Sequence, residues 1–153
     1  MLDPAPAQPL PKELLELTDW ITPNEREAST LLGLERKALV PFEAVRALQA
    51  LGPRNVILKM SSKGAVVLAG KAEPVHVRPV PVTAVDTTAA GDAFNGAFAV
   101  ALSEGRSPVE AAEFAAAAAA LSVTRRGAQP SMPTRGEIDA ITQSNHSSDQ
   151  SLA

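Results

Sequence analysis

Asp86-Thr87-Thr88-Ala89-Ala90-Gly91-Asp92-Ala93-Phe94-Asn95-Gly96 joins two unlike parts of the chain. Ahead of it, Pro74 to Val82 alternates Val75, Val77, Val80 and Val82, the period of an extended segment. Behind it, the spacing predicts helices over Ala90–Leu102, Pro108–Thr124 and Arg135–Thr142. Small residues at 89 to 91 let the backbone approach a ligand closely. A helix that begins here aims unpaired N–H groups and the positive end of its dipole at that ligand, which makes a phosphate cradle without cationic side chains. Asp92, in the first turn, can accept the proton of an alcohol attacking a γ-phosphate while the amides hold the developing charge. The same residues read equally well as a plain helix start, with Asp86 as its cap.

Working outward toward the N-terminus, Gly64–Ala69 and the apolar, β-branched Asn55–Lys59 read as buried strands. Phe42–Leu51 reads as a helix that follows Pro41 and ends at Gly52, with Val45, Leu48 and the Leu51 region on one face. Asn24 is placed to cap a helix over Glu25–Leu32 that exits at Gly33, and Asp19–Thr22 is a short strand stopped by Pro23. Pro11–Leu17 is a short helix, and Trp20 is expected in the core beside its strand. Strands alternating with helices, followed by closing helices, predict an α/β layered domain over residues 1–143. The polar, Ser-rich residues 144–153 are expected to form a disordered tail.

Composition narrows the function classes. Of 153 residues, 14 are Lys or Arg and 17 are Asp or Glu, a net charge of −3 that offers no basic stripe for nucleic acid. With no cysteine there is no disulfide and no thiolate metal site, and the chain reads as cytoplasmic. The longest small, apolar run, Phe114 to Val123, is far too short to span a membrane, and the proline-rich start lacks the pattern of a signal peptide. His76 and His146 have no partner at metal-ligand spacing.

The Asp86 string resembles the C-terminal signature of the ribokinase (PfkB) family of carbohydrate kinases, D-T-x-G/A-A-G-D-x-F, at every position. The resemblance implies that Asp92 is the catalytic base and that Ala89, Ala90, Gly91 and Asp92 form an anion hole. Ile21 to Ala28 is similar to the family's T-P-N-E-x-E segment, which implies that Asn24 and Glu27 act near Mg²⁺ and the phosphates, often through water. By residue chemistry alone Asn24 is a cap with an acidic first turn. Val123 to Ser131 resembles the part of the family that binds an activating monovalent cation, K⁺. Carried over, its ligands are Asp86, Thr88, Ser122, Arg125, Gly127 and Ser131, several through backbone carbonyls.

Leu58 to Gly64 occupies the slot of the family's T-L-G-S-x-G loop, which touches ATP. Ser62 and Gly64 match. Lys59 stands where Thr is usual and offers a phosphate contact instead. Ser61 stands where Gly is usual, and its Cβ either crowds the nucleotide or demands a strained backbone angle. In the alanine run 115–120, helix packing is the first role, and Ala116 matches the family's adenine-side position.

The resemblance implies a three-layer, ribokinase-like α/β fold with a mostly parallel sheet, of which this chain carries the C-terminal half. On this resemblance the N-terminal half, with its β lid and most sugar contacts, is expected to be absent from these residues, and the opening Met1-Leu2-Asp3 reads as the end of a cut strand. The implied reaction is ATP-dependent phosphorylation of a sugar, with D-ribose giving ribose 5-phosphate. The resemblance implies a small-molecule sugar and ATP as partners, with neither nucleic acid nor membrane, and a homodimeric full-length parent. A catalytically inert nucleotide-binding or interaction module, or another sugar or nucleoside kinase, are the alternatives.

Overall fold

The computed structural model describes residues 1–35 and 38–150, with side chains through Gln143. The chain forms two compact units, Met1–Arg78 and Pro79–Ala153. The first runs α1 (Lys12–Glu16), β1 (Trp20–Ile21), α2 (Glu25–Leu32), α3 (Pro41–Ala50), β2 (Asn55–Lys59), β3 (Ala65–Ala69) and β4 (Val75–Val77). The strands line up in chain order, β1 parallel to β2 and the other pairs antiparallel. Connection length decides this pattern. The five residues between β2 and β3 can only turn the chain back, whereas two helices cross between β1 and β2 and bring the chain round in the same direction. Leu2 adds a parallel bridge to Ile21, continuing the sheet past β1. The α/β class expected from the sequence holds, and its described strands form a mixed sheet.

Alternation puts Val56 and Leu58 of β2 with Val66 and Leu68 of β3 on one face. There they pack with Leu15 of α1, Ala28 of α2, and Val45 and Leu48 of α3. Burial of each of the larger side chains contributes about 1.5–3 kcal/mol. Gly52, with φ 140°, lets the end of α3 run tight against α1: a Cβ there would lie 2.9 Å from the Glu16 amide nitrogen. Trp20 is half-buried; its strand is two residues long and it is Ile21 that turns inward.

The valine alternation promised a longer strand than forms. Pairing stops at Val77↔Ala65, because β3 begins at Ala65 and the loop before it curls away, leaving no backbone to continue the ladder. Val82 and Val85 are accordingly exposed.

The second unit contains α4 (Ala90–Ser103), α5 (Pro108–Ser122) and α6 (Arg135–Gln150), with a 3₁₀ turn at Gln129–Ser131. Ser107 and Glu110 form a capping box that starts α5 only four residues after α4 ends, so the two helices fold back on each other. Alanine pays off in packing here: Ala111, Ala112, Ala115, Ala117 and Ala118 are all buried. The backbone of α6 continues helically to Gln150 through most of the polar stretch read as a tail; residues 151–153 lie outside the described residues, as does the side chain of His146. Among the described residues no helix is long and apolar enough to cross a membrane.

Candidate functional site

In the second unit the site is built around one carbonyl and one carboxylate. Val123, which closes α5, accepts from the amides of Val85 at 2.7 Å and Asp86 at 3.1 Å, pinning the approach to α4 against the end of α5. Asp86 Oδ1 then accepts from the Thr88 N–H at 2.9 Å and the Thr88 hydroxyl at 2.6 Å, while Oδ2 accepts from the Gly127 N–H at 2.8 Å. These bonds hold the Asp86 carboxyl at about 2, below its usual 3.8, the Thr88 hydroxyl contributing most and the Gly127 amide next. Asp86 therefore remains a carboxylate and crosslinks two loops. It does not cap the helix: the cap position of α4 is Ala89, at φ 60° and ψ 13°, and no side chain caps that end.

That left-handed alanine turns the chain sharply into α4. The first full helical bond runs from Ala93 N–H to the Ala89 carbonyl at 2.9 Å, and Ala90 N–H reaches only the Thr87 carbonyl at 3.3 Å. Among the described residues the amides of Gly91 and Asp92 have no protein acceptor, so two donors stand free at the positive end of a 14-residue helix. Asp92 is exposed beside them and lines a cleft of about 280 Å³ with Gly96, Val100, Phe114, Met132 and Arg135. Ala116 does not join it. The cleft takes Phe114 and Ala118 from one face of α5, whereas Ala116 lies on the partly exposed face of Glu113 and Ala119.

The residues implied as cation ligands converge in part. Asp86, Thr88 and Gly127 are directly bonded, and Ser122 is the last residue of α5, one before the shared Val123 carbonyl. The Ser122 hydroxyl donates to the Ala119 carbonyl at 2.8 Å and the buried Ser131 hydroxyl to that of Ala128 at 2.7 Å. The Arg125 guanidinium is paired with Glu137, which with the Thr134 N–H and hydroxyl holds that carboxyl at about 2. Any contribution of Arg125 to a cation is therefore through its carbonyl. One carboxylate among carbonyl and hydroxyl oxygens fits a hard monovalent cation.

In the first unit, the bridge between Asn24 and Lys59 brings two of the expected residues side by side at the carboxyl ends of β1 and β2. Asn24 Oδ1 accepts from the Arg26 and Glu27 amides, both at 2.9 Å; Glu27 returns Oε2 to the Asn24 N–H and Oε1 to the Asn24 side-chain amide, each at 2.7 Å. This is a complete capping box, and Glu27 is buried in it. Both oxygens of Glu27 are engaged, and no group of three or more His, Cys, Asp or Glu suited to a metal lies among the described residues. A Mg²⁺ at this pair would therefore have to be held through water, the manner this ion favours.

Lys59 Nζ lies 3.2 Å from Asp3 Oδ1, its side chain only 13% exposed. Asp3 was not among the site residues expected from the sequence; the bridge of Leu2 to Ile21 is what brings it to the end of the strands where Lys59 lies. Ser61 adopts φ 53°, so its departure from glycine is met by a left-handed serine, and Gly64 at φ 88° and ψ −138° closes the loop.

The chain matches the pfkB family carbohydrate kinase over residues 1–135. It is similar to the ribokinase of Haemophilus influenzae, 46% identical over 138 residues, covering 90% of this chain and 45% of that protein. Among solved structures, the ribokinase of Thermotoga maritima aligns with a TM-score of 0.83 at 48% identity, over 92% of this chain and 48% of the other. The Arabidopsis thaliana ribokinase complexed with ribose and ATP aligns with a TM-score of 0.82 at 39% identity, over 92% of this chain and 46% of the other. The chain spans about half the length of the relatives it matches.

Proposed function

This chain belongs to the pfkB family of carbohydrate kinases, and from that membership we propose that it carries the base, anion-hole and nucleotide part of an ATP-dependent kinase acting on D-ribose. The observation that carries this reading is the start of α4: two free amides and an exposed carboxylate within one turn, entered through a left-handed residue. Asp92 accepts the proton of the primary hydroxyl as its oxygen bonds to the γ-phosphorus and the bond to the ADP oxygen breaks, giving ribose 5-phosphate and ADP. The Gly91 and Asp92 amides face the charge on the phosphoryl oxygens, the task for which fixed donors are most effective. Ala89 and Ala90 shape that turn.

Lys59, Ser61 and Gly64 contact the nucleotide, and Ala116 leaves space on the adenine side. Asn24 and Glu27 would hold Mg²⁺ through water, and the ion would offset phosphate charge. The oxygens of Asp86, Thr88, Ser122, Arg125, Gly127 and Ser131 would hold K⁺, whose charge would add to the bonds that fix the Ala89 turn. The similarity to ribokinases at 46% and 48% identity supports ribose as the acceptor.

The test is ADP release by the protein carrying this chain, with D-ribose, fructose and adenosine as rival acceptors. A ribose-dependent rate well above the others is expected, and a preference for another acceptor would replace ribose in the proposal. A second reading, a nucleotide-binding module without turnover, is favoured for the 153 residues alone because they span 45% of the Haemophilus relative. It is checked by the same assay on those residues, where ribose should add nothing to a negligible rate.

A further inference from the structure

Lys63, in the loop between β2 and β3, is held at two points. Its ammonium lies 3.2 Å from Glu25 Oε1 in the first turn of α2, and its carbonyl oxygen is 2.8 Å from His76 Nε2 on β4. A carbonyl only accepts, so Nε2 carries the hydrogen, as it does in one neutral tautomer and in the imidazolium alike. The β3–β4 register sets His76 opposite Val66, which brings its ring within reach of the loop end.

This loop needs fastening. Serine in the left-handed region is strained, and such strain persists where the surroundings over-determine it. Three bonds shape the turn from within: Met60 N–H to the Gly64 carbonyl at 2.8 Å, Lys63 N–H to that of Met60 and Gly64 N–H to that of Ser61, both at 3.1 Å. The contacts of Lys63 with His76 and Glu25 instead fasten the turn to β4 and to α2.

We infer that His76 and Glu25, acting through Lys63, are positioning residues that hold the Ser61–Gly64 loop ready for nucleotide phosphate. The inference rests on the nucleotide reading of that loop given above. Neither residue touches the nucleotide; each removes motion that binding would otherwise have to arrest. His76 carries the larger share, because its bond grips the backbone itself, whereas the Lys63 side chain is 72% exposed and its ion pair is screened.

The experiment uses the full 153-residue chain, with amide hydrogen exchange at Lys63 and Gly64 and calorimetric titration with ADP. His76→Phe should speed exchange at both amides severalfold and weaken ADP binding by roughly three- to tenfold, the range of one net hydrogen bond. His76→Gln, which keeps an N–H donor, should restore both to within about twofold, and Glu25→Gln should weaken ADP binding by about twofold. Exchange and affinity unchanged in His76→Phe would overturn the inference, as would a Gln variant impaired as badly as the Phe one. If the unaltered chain binds no ADP, the nucleotide reading of the loop falls, while the exchange rates still decide whether His76 holds it.

Discussion

Two short turns in this chain do the same unusual thing, each in its own unit. Ser61 between β2 and β3, and Ala89 ahead of α4, are the described non-glycine residues with positive φ, at 53° and 60°. What holds them differs. The Ala89 turn is fixed by a single carboxylate, Asp86, which draws in Thr88 next door and Gly127 from 41 residues away. The Ser61 turn closes on itself through local backbone bonds and is tethered from outside by the exposed His76 ring and by the ion pair of the exposed Lys63 with the half-buried Glu25. The difference teaches where precision is needed: the turn that places free amides and a carboxylate is locked by a charged crosslink, while the turn whose proposed task is only to touch a nucleotide is held more loosely.

The largest expected effect tests whether chemistry belongs to the Ala89 turn alone. In the protein carrying this chain, Asp92→Asn should lower kcat by roughly three or more powers of ten with ATP affinity little changed; steady-state kinetics that find near-normal kcat would break the contrast. Asp86→Ala removes the crosslink without touching a reacting atom. It should lower kcat by on the order of 10²-fold through misplacement and abolish any advantage of K⁺ over Na⁺ at equal ionic strength, an advantage the unaltered protein should show.

A smaller effect compares the two strained residues directly. Ser61→Gly and Ala89→Gly should each raise stability by up to about 1 kcal/mol, partly offset by the freer unfolded chain. Ser61→Gly should also tighten ADP binding severalfold, whereas Ala89→Gly should not; denaturant melts and calorimetry read both. The smallest effect is on pH. The folded carboxyl of Asp86 sits at about 2 against the usual 3.8, so its contribution is complete above about pH 4 and fades as pH falls toward 2. Acid denaturation of Asp86→Asn should therefore be flatter over that window than that of the unaltered chain.

Much of the fold was legible because its signals are local. Asn24 and Gly33 bound α2 where the sequence placed its ends, and β2 spans Asn55–Lys59 as read. Where the reading ran long, the cause was a neighbour. The valines past Val77 alternate correctly, but a strand needs a partner, and β3 supplies none beyond Ala65. Of the candidate site, Asp92 and its free amides follow from the small-residue turn alone, since any helix start leaves its first donors open. The partners of Lys59 and Lys63 were invisible, because Asp3 and Glu25 lie 56 and 38 residues away and nothing in sequence spacing announces such a meeting.

By itself, then, the sequence determined where most of the helices and strands lie, and which turn carries the donors and the carboxylate. These depend on caps, periodicity and residue size within a few positions. Only the tertiary structure decided that Asp86 is a crosslink and not a cap, that Ser61 takes up strain, and that Ala116 lies off the Asp92 cleft. Each is a matter of backbone direction or of distance between groups, fixed only when the loops close and the elements pack.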